Sequence, residues 1–195
     1  MLNRQRKLTK IALLLLALTP LALMIDAAIG QALGPDPAEA LADQTGEWAL
    51  RLLCACLAIT PLRILTGKVE WLRYRRMLGL LAFFYACLHL AVYWLFILRL
   101  QWTDFFYEFA QRPYIAAGMV ALLLLVPLAI TSTKKWQKKL GRQWPRLHRL
   151  VYLAAALALT HVWWQTRGDY TEALIYTLIL LALGMIRYRR KSWFK

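Results

Sequence analysis

His89 and His161 are two of only three histidines in the chain. Each lies deep in an apolar segment, 13 and 12 residues beyond basic clusters ending at Arg76 and Arg149. A neutral imidazole offers one ring nitrogen to a metal, so two rings at matched depth read as two ligands of one buried ion. If both segments are helices crossing in the same direction, a rise of about 1.5 Å per residue puts the rings roughly 20 and 18 Å from their basic edges, nearly level. A porphyrin standing between two helices needs that arrangement, with one axial imidazole from each side. The expected chemistry is electron transfer through a bis-histidine haem. For either ring alone, the plainer alternative is a histidine that merely bonds a neighbouring carbonyl. Two costly ionisable rings at one depth favour the functional pair.

A metal site without porphyrin would want further Cys, Asp or Glu ligands at the same level. Cys87 stands two residues from His89 and so faces elsewhere on a helix, while Cys54 and Cys56 share a different segment. All three read as packing residues.

His148 stands apart in the basic run GRQWPRLHR, 13 residues before His161. It could ligate a second haem, line the entry point for electrons, or be a solvated interfacial ring. The corresponding end of the third apolar segment carries Arg75 and Arg76 in place of a histidine. These arginines suit haem propionates or a flavin phosphate, or serve only as topological charges. Arg51, three residues past Trp48, could reach a propionate or snorkel to the interface.

The elements that must position these residues follow from composition. The chain has 195 residues, 61% of them hydrophobic, and a net charge of +15. Apolar stretches run about 11–29, 48–66, 77–98, 114–131, 149–165 and 171–186, most approaching the roughly 17 to 25 residues of a spanning helix. The last two are separated only by the turn Thr166–Tyr170. The expected fold is all-α: a polytopic six-transmembrane-helix bundle, one domain over 1–195, with both termini cytoplasmic. Pro20, Pro61 and Pro127 interrupt apolar runs and are expected to kink them. No internal repeat of fixed period is apparent.

Orientation follows from charge. Of the 25 Lys and Arg, 20 lie in Met1–Lys10, Gly67–Arg76, Ser132–Arg149 and Arg187–Lys195, whereas Asp36, Glu39, Asp43, Glu47, Asp104, Glu108, Asp169 and Glu172 occupy the alternate connections. The basic face is therefore expected in the cytoplasm. The positive charge is then topological, and it predicts anionic lipid rather than nucleic acid as the neighbour. Trp71, Trp136, Trp144 and Trp193 fall near the basic face; Trp48, Trp94, Trp102, Trp163 and Trp164 fall near the acidic one, as an aromatic belt requires. The first apolar run exceeds the usual signal-peptide core and is expected to be a retained helix.

His89 in LAFFYACLHL, and His148 with His161 in RLHRLVYLAAALALTHVWW, make the chain resemble the MsrQ (YedZ) family of ferric-reductase-like transmembrane proteins. The wider superfamily carries two histidines on each of two helices and binds two stacked haems; this chain keeps three of the four. The resemblance implies a haem b subunit of the bacterial inner membrane, with one haem or two. It would pass electrons to MsrP, a periplasmic molybdopterin enzyme that reduces methionine sulfoxide in oxidised proteins. It further implies a donor, either the quinone pool or a cytosolic flavin reductase, and an FMN. Catalysis would then occur on the partner. No Gly-rich phosphate loop follows a strand, so a nicotinamide-binding domain is not expected in this chain.

Electrons are expected to enter near the basic loop Lys134–Arg149. The loop Leu100–Pro113 would offer docking contacts, or Phe105, Phe106 and Tyr107 would anchor the membrane interface. Two other classes of answer are a stand-alone ferric or quinone reductase and a haem-free transporter or assembly factor. The last would be favoured by carboxylates paired with the histidines at mid-depth.

Overall fold

Backbone groups facing lipid must be satisfied within their own segment, so apolar runs of this length fold as helices. The computed structural model describes residues 2–192; Trp193 and Lys195 lie outside the described residues. Among the described residues the chain is all-α. The helices are α1 Leu2–Ile29, α2 Pro37–Thr66, α3 Leu72–Val92, α4 Trp102–Gln111, α5 Pro113–Ile130, α6 Lys134–Leu140, α7 Trp144–Leu147, α8 Leu150–Gln165 and α9 Thr171–Ser192.

Five helices are long and apolar enough to cross a membrane: α1, α2, α3 with its continuation to Ile97, α5 and α9. The remaining expected span, 149–165, is the shorter apolar helix α8 of 16 residues. Many large apolar side chains point outward: Leu16 of α1 is 67% exposed and Leu178 of α9 is 65% exposed. That pattern suits lipid as solvent.

Two boundaries differ from expectation. α2 begins at Pro37, well before residue 48, because Asp36 caps it by accepting from the Glu39 amide at 3.0 Å and Pro37 presets the first helical φ. It stops at Gly67, whose φ of 69° lets its N–H close on the Arg63 carbonyl at 3.0 Å. The stretch expected as a loop, Leu100–Pro113, contains α4. Trp102, Phe105, Phe106 and Phe109 recur at helical spacing, and the polar Asp104 and Glu108 lie off that stripe. The basic loop Lys134–Arg149 likewise contains α6 and α7. Pro20, Pro61 and Pro127 sit inside α1, α2 and α5, which continue through them.

Two antiparallel hairpins form the centre: α2 packs along α3, and α5 along α8. They meet where α3 touches α5, while α9 lies on α2 and α8, and α1 on α2 and α3. The core joins Leu53 and Leu57 of α2 to Ala82 and Tyr85 of α3, Leu128 of α5 and Ala155 of α8. Tyr85 is fully buried, and its hydroxyl donates to the Ala17 carbonyl at 2.8 Å, tying α1 to the hairpins. Cys54 and Cys56 are buried in α2, and the Cys56 thiol donates to the Arg75 carbonyl at 3.3 Å.

Candidate functional site

α3 and α8 both run away from the basic end, and each carries its histidine near the far end. His89 and His161 face one another with ring centroids 6.1 Å apart and planes 76° apart. Each ring is held from behind by the other helix of its hairpin. His89 Nδ1 lies 2.8 Å from the Ala42 carbonyl of α2, and His161 Nδ1 lies 2.7 Å from the Tyr114 carbonyl of α5; both pairs are 47 residues apart. A carbonyl only accepts, so each Nδ1 must carry the proton. Each Nε2 is thereby left as the lone-pair nitrogen, the tautomer that ligates a metal.

The arrangement fits an iron between the rings. Two metal–nitrogen bonds of about 2 Å, with each nitrogen roughly 1.1 Å from its ring centre, set the centroids roughly 6 Å apart. The donor set fits a porphyrin as well. Among the described residues no three His, Cys, Asp or Glu side chains gather into a metal cage. A macrocycle that supplies four equatorial nitrogens asks the protein only for the axial pair.

Glycine makes both seats. A side chain's Cβ on a helix covers the turn before its own Cα, so the residue four positions after a carbonyl stands over it. That residue is Gly46 after Ala42 and Gly118 after Tyr114. A Cβ on Gly46 would come within 3.1 Å of His89 Nδ1, and one on Gly118 within 2.9 Å of His161 Nδ1. Neither glycine figured among the sequence-predicted residues. A signal for them exists: carbonyl residue, glycine and histidine recur in the second hairpin at one constant offset from the first. That relation is an internal repeat invisible as sequence similarity.

The same offset carries Arg76 to His148. His148 lies at the other, basic end, between α7 and α8, and is not brought near the pair. Its Nε2 is 3.1 Å from Thr131 Oγ1. The Thr131 hydroxyl already donates to the Pro127 carbonyl at 2.6 Å, so here it accepts and His148 Nε2 carries the proton. The ring stacks on Trp144 at 4.0 Å, and the Trp144 indole donates to the Thr131 carbonyl at 2.9 Å. Burial, and then the nearby Arg75 charge, push the His148 pKa below the ordinary histidine value.

Arg75 is half-buried and Arg76 exposed, both in the first turns of α3. Arg51 lies on α2 near the acidic end, paired with Glu47 at 2.7 Å and Glu172 at 3.8 Å. Its Nε donates to the Tyr176 hydroxyl at 3.2 Å, and its guanidinium stacks 5.2 Å from the Trp48 ring centre. These contacts clasp α2 to α9. Arg187 of α9, counted in the sequence only as a topological charge, hydrogen-bonds the Tyr152 hydroxyl and the Leu57 carbonyl.

Comparison with known proteins gives a consistent picture. The family described as ferric reductase like transmembrane component matches residues 45–159, which include His89 and His148 and stop just short of His161. The protein-methionine-sulfoxide reductase heme-binding subunit MsrQ of Xanthomonas campestris pv. campestris is 52% identical over 162 residues, covering 83% of this chain and 74% of its own length. The protein of the same name from Xanthomonas axonopodis pv. citri is 53% identical over 152 residues, 78% of this chain and 70% of its own.

Proposed function

This chain belongs to the MsrQ family, and we propose that it is a haem b subunit of the bacterial inner membrane that hands electrons to a separate periplasmic methionine sulfoxide reductase. One observation carries the proposal: the 6.1 Å separation of His89 and His161, with both Nδ1 positions taken by backbone carbonyls. The relatives' name, heme-binding subunit of a protein-methionine-sulfoxide reductase, supports the cofactor and the kind of partner.

Bound haem supplies one-electron carriage. His89 and His161 would hold it through Nε2, and the two glycine-backed carbonyls hold the rings by their Nδ1–H groups. The bundle crosses six times, with α8 as the short span. Its 16 residues rise roughly 24 Å. That falls short of a hydrocarbon core of about 30 Å, a mismatch that local thinning of the bilayer accommodates. By the excess of Lys and Arg, the basic end and both termini are cytoplasmic, which turns the histidine pair toward the periplasm. Electrons enter at the basic end from quinol or a cytosolic flavin reductase. There Arg75 and Arg76 suit the propionates of a second haem at His148, or the phosphate of FMN. Sulfoxide reduction itself takes place on an MsrP-like molybdopterin partner.

The test is the dithionite-reduced minus oxidised visible spectrum of detergent-purified protein, followed by electron delivery to a purified periplasmic methionine sulfoxide reductase. A b-type spectrum that is re-oxidised by that reductase plus an oxidised peptide is expected. A colourless protein from haem-replete cells sinks the proposal. A coloured one re-oxidised by ferric iron or quinone but not by the reductase makes it a stand-alone reductase.

A further inference from the structure

We infer that Gly46 and Gly118 are positioning residues that set the electronic state of the histidine pair, an inference that rests on the ligand reading above. Both glycines lie in helices without a positive φ, so no turn requires them. A glycine in a helix interior is otherwise a cost, because alanine there loses less backbone entropy. What each site needs is the missing Cβ. The imidazole ring lies in the space that a Cβ would fill, with contacts to His89 of 3.1 and 3.2 Å at Gly46 and to His161 of 2.9, 3.1 and 3.2 Å at Gly118. The ring cannot simply swing away. On one side its Nδ1–H is held by the carbonyl four residues before the glycine, and on the other stands the opposite histidine ring, 6.1 Å away between centroids.

The contrast with the other helical glycines is informative. A Cβ on Gly184 would meet nothing within 4 Å, and one on Gly79 would meet only Cys56 Sγ at 3.4 Å. Among the described residues, only the two glycines under the histidines are pressed by a ring. The consequence is chemical as well as steric. An Nδ1–H hydrogen bond to a carbonyl makes the imidazole a more basic ligand, which favours ferric over ferrous iron. A Cβ that lengthens this bond therefore weakens the preference and raises the haem potential. It also turns the ring plane, which alters the anisotropy of the ferric low-spin signal.

The experiment uses the detergent-purified full chain. Redox titration and ferric EPR are recorded for the unmodified protein, Gly118→Ala, Gly46→Ala and Gly184→Ala. With haem retained, Gly118→Ala is expected to raise the midpoint potential and shift the largest g value. Gly46→Ala should do the same to a smaller degree, in keeping with its looser contact, and Gly184→Ala should change neither. An unaltered potential and signal in both histidine-facing variants overturns the inference, as does an equal shift in Gly184→Ala. If Gly118→Ala does not accumulate, Gly46→Ala decides by the same criteria. Failure of the underlying reading looks different: His89→Ala and His161→Ala would then keep the full b-type spectrum.

Discussion

The two ends of the bundle treat histidine in opposite ways. At the acidic end His89 and His161 each donate Nδ1–H to a backbone carbonyl, which leaves the Nε2 of each ring with its lone pair free. At the basic end the Thr131 hydroxyl, its own proton spent on Pro127, accepts from His148 Nε2, and Trp144 covers the ring face. The residue type is the same and the depth relation is regular. What differs is the hydrogen-bond partner, and that partner selects which nitrogen remains for chemistry. The opposite members of the pairs differ too: His89 meets His161, whereas the counterpart of His148 by offset is Arg76. Ligand competence therefore belongs to the pair of hairpins rather than to any one histidine.

The most severe way to break this comparison is to remove one ring at a time. His89→Ala and His161→Ala are each expected to abolish the low-spin b-type spectrum of the shared haem, while His148→Ala preserves it. Loss of that spectrum in His148→Ala, with retention in the other two, would reverse the roles of the two ends. The unmodified protein sharpens the same point. Planes 76° apart place the two imidazoles nearly perpendicular, so the ferric EPR signal is expected to be strongly anisotropic rather than rhombic. A rhombic signal would mean that the rings are nearly parallel once haem is bound.

A smaller effect is expected at the basic end. Thr131→Val leaves His148 Nε2–H without its acceptor in a partly buried site, a loss of about 1 kcal/mol in stability. The sign of the pH dependence follows from the lowered His148 pKa. Just below the ordinary histidine value the unfolded chain binds a proton that the folded chain does not. Stability therefore rises with pH through that window and falls on acidification. His148→Gln should flatten this acid-side loss in thermal melts between pH 5 and pH 7. An unchanged profile would show that other groups dominate.

Much of the site was legible because two regularities reach the sequence intact. Apolar runs mark the helices, and basic clusters mark their starting edge, so counting from Arg76 and Arg149 brings His89 and His161 level. What holds the rings was not legible in the same way. The Ala42 carbonyl belongs to a part of α2 outside the apolar run, and only the cap at Asp36 and Pro37 signals that the helix has already begun. A backbone acceptor also carries no side-chain signature, and a helical glycine looks like a propensity penalty until the ring beneath it is seen. α4 is hard to read from the sequence for another reason. Its aromatic stripe has clear helical spacing, but ten residues between two spans read first as a connection.

Arg51 offers the mildest contrast between the ends. The basic end gathers cations, whereas here the Arg51 guanidinium sits between Glu47 and Glu172, with Tyr176 as a further partner. If its role is to clasp α2 to α9, Arg51→Met should cost no more than about 1 kcal/mol, since the Arg51 and Glu47 side chains remain 39% and 31% exposed and are screened by solvent. Part of that cost should vanish in high salt, where exposed pairs are attenuated. The haem spectrum and potential should stay where they were, because the described donors of Arg51 point to Glu47 and Tyr176 rather than to either histidine. A drop in haem content that follows Arg51→Met but not Glu172→Gln would assign the guanidinium to a propionate instead. In that case the acidic end would bind the cofactor through charge as well as through its axial pair.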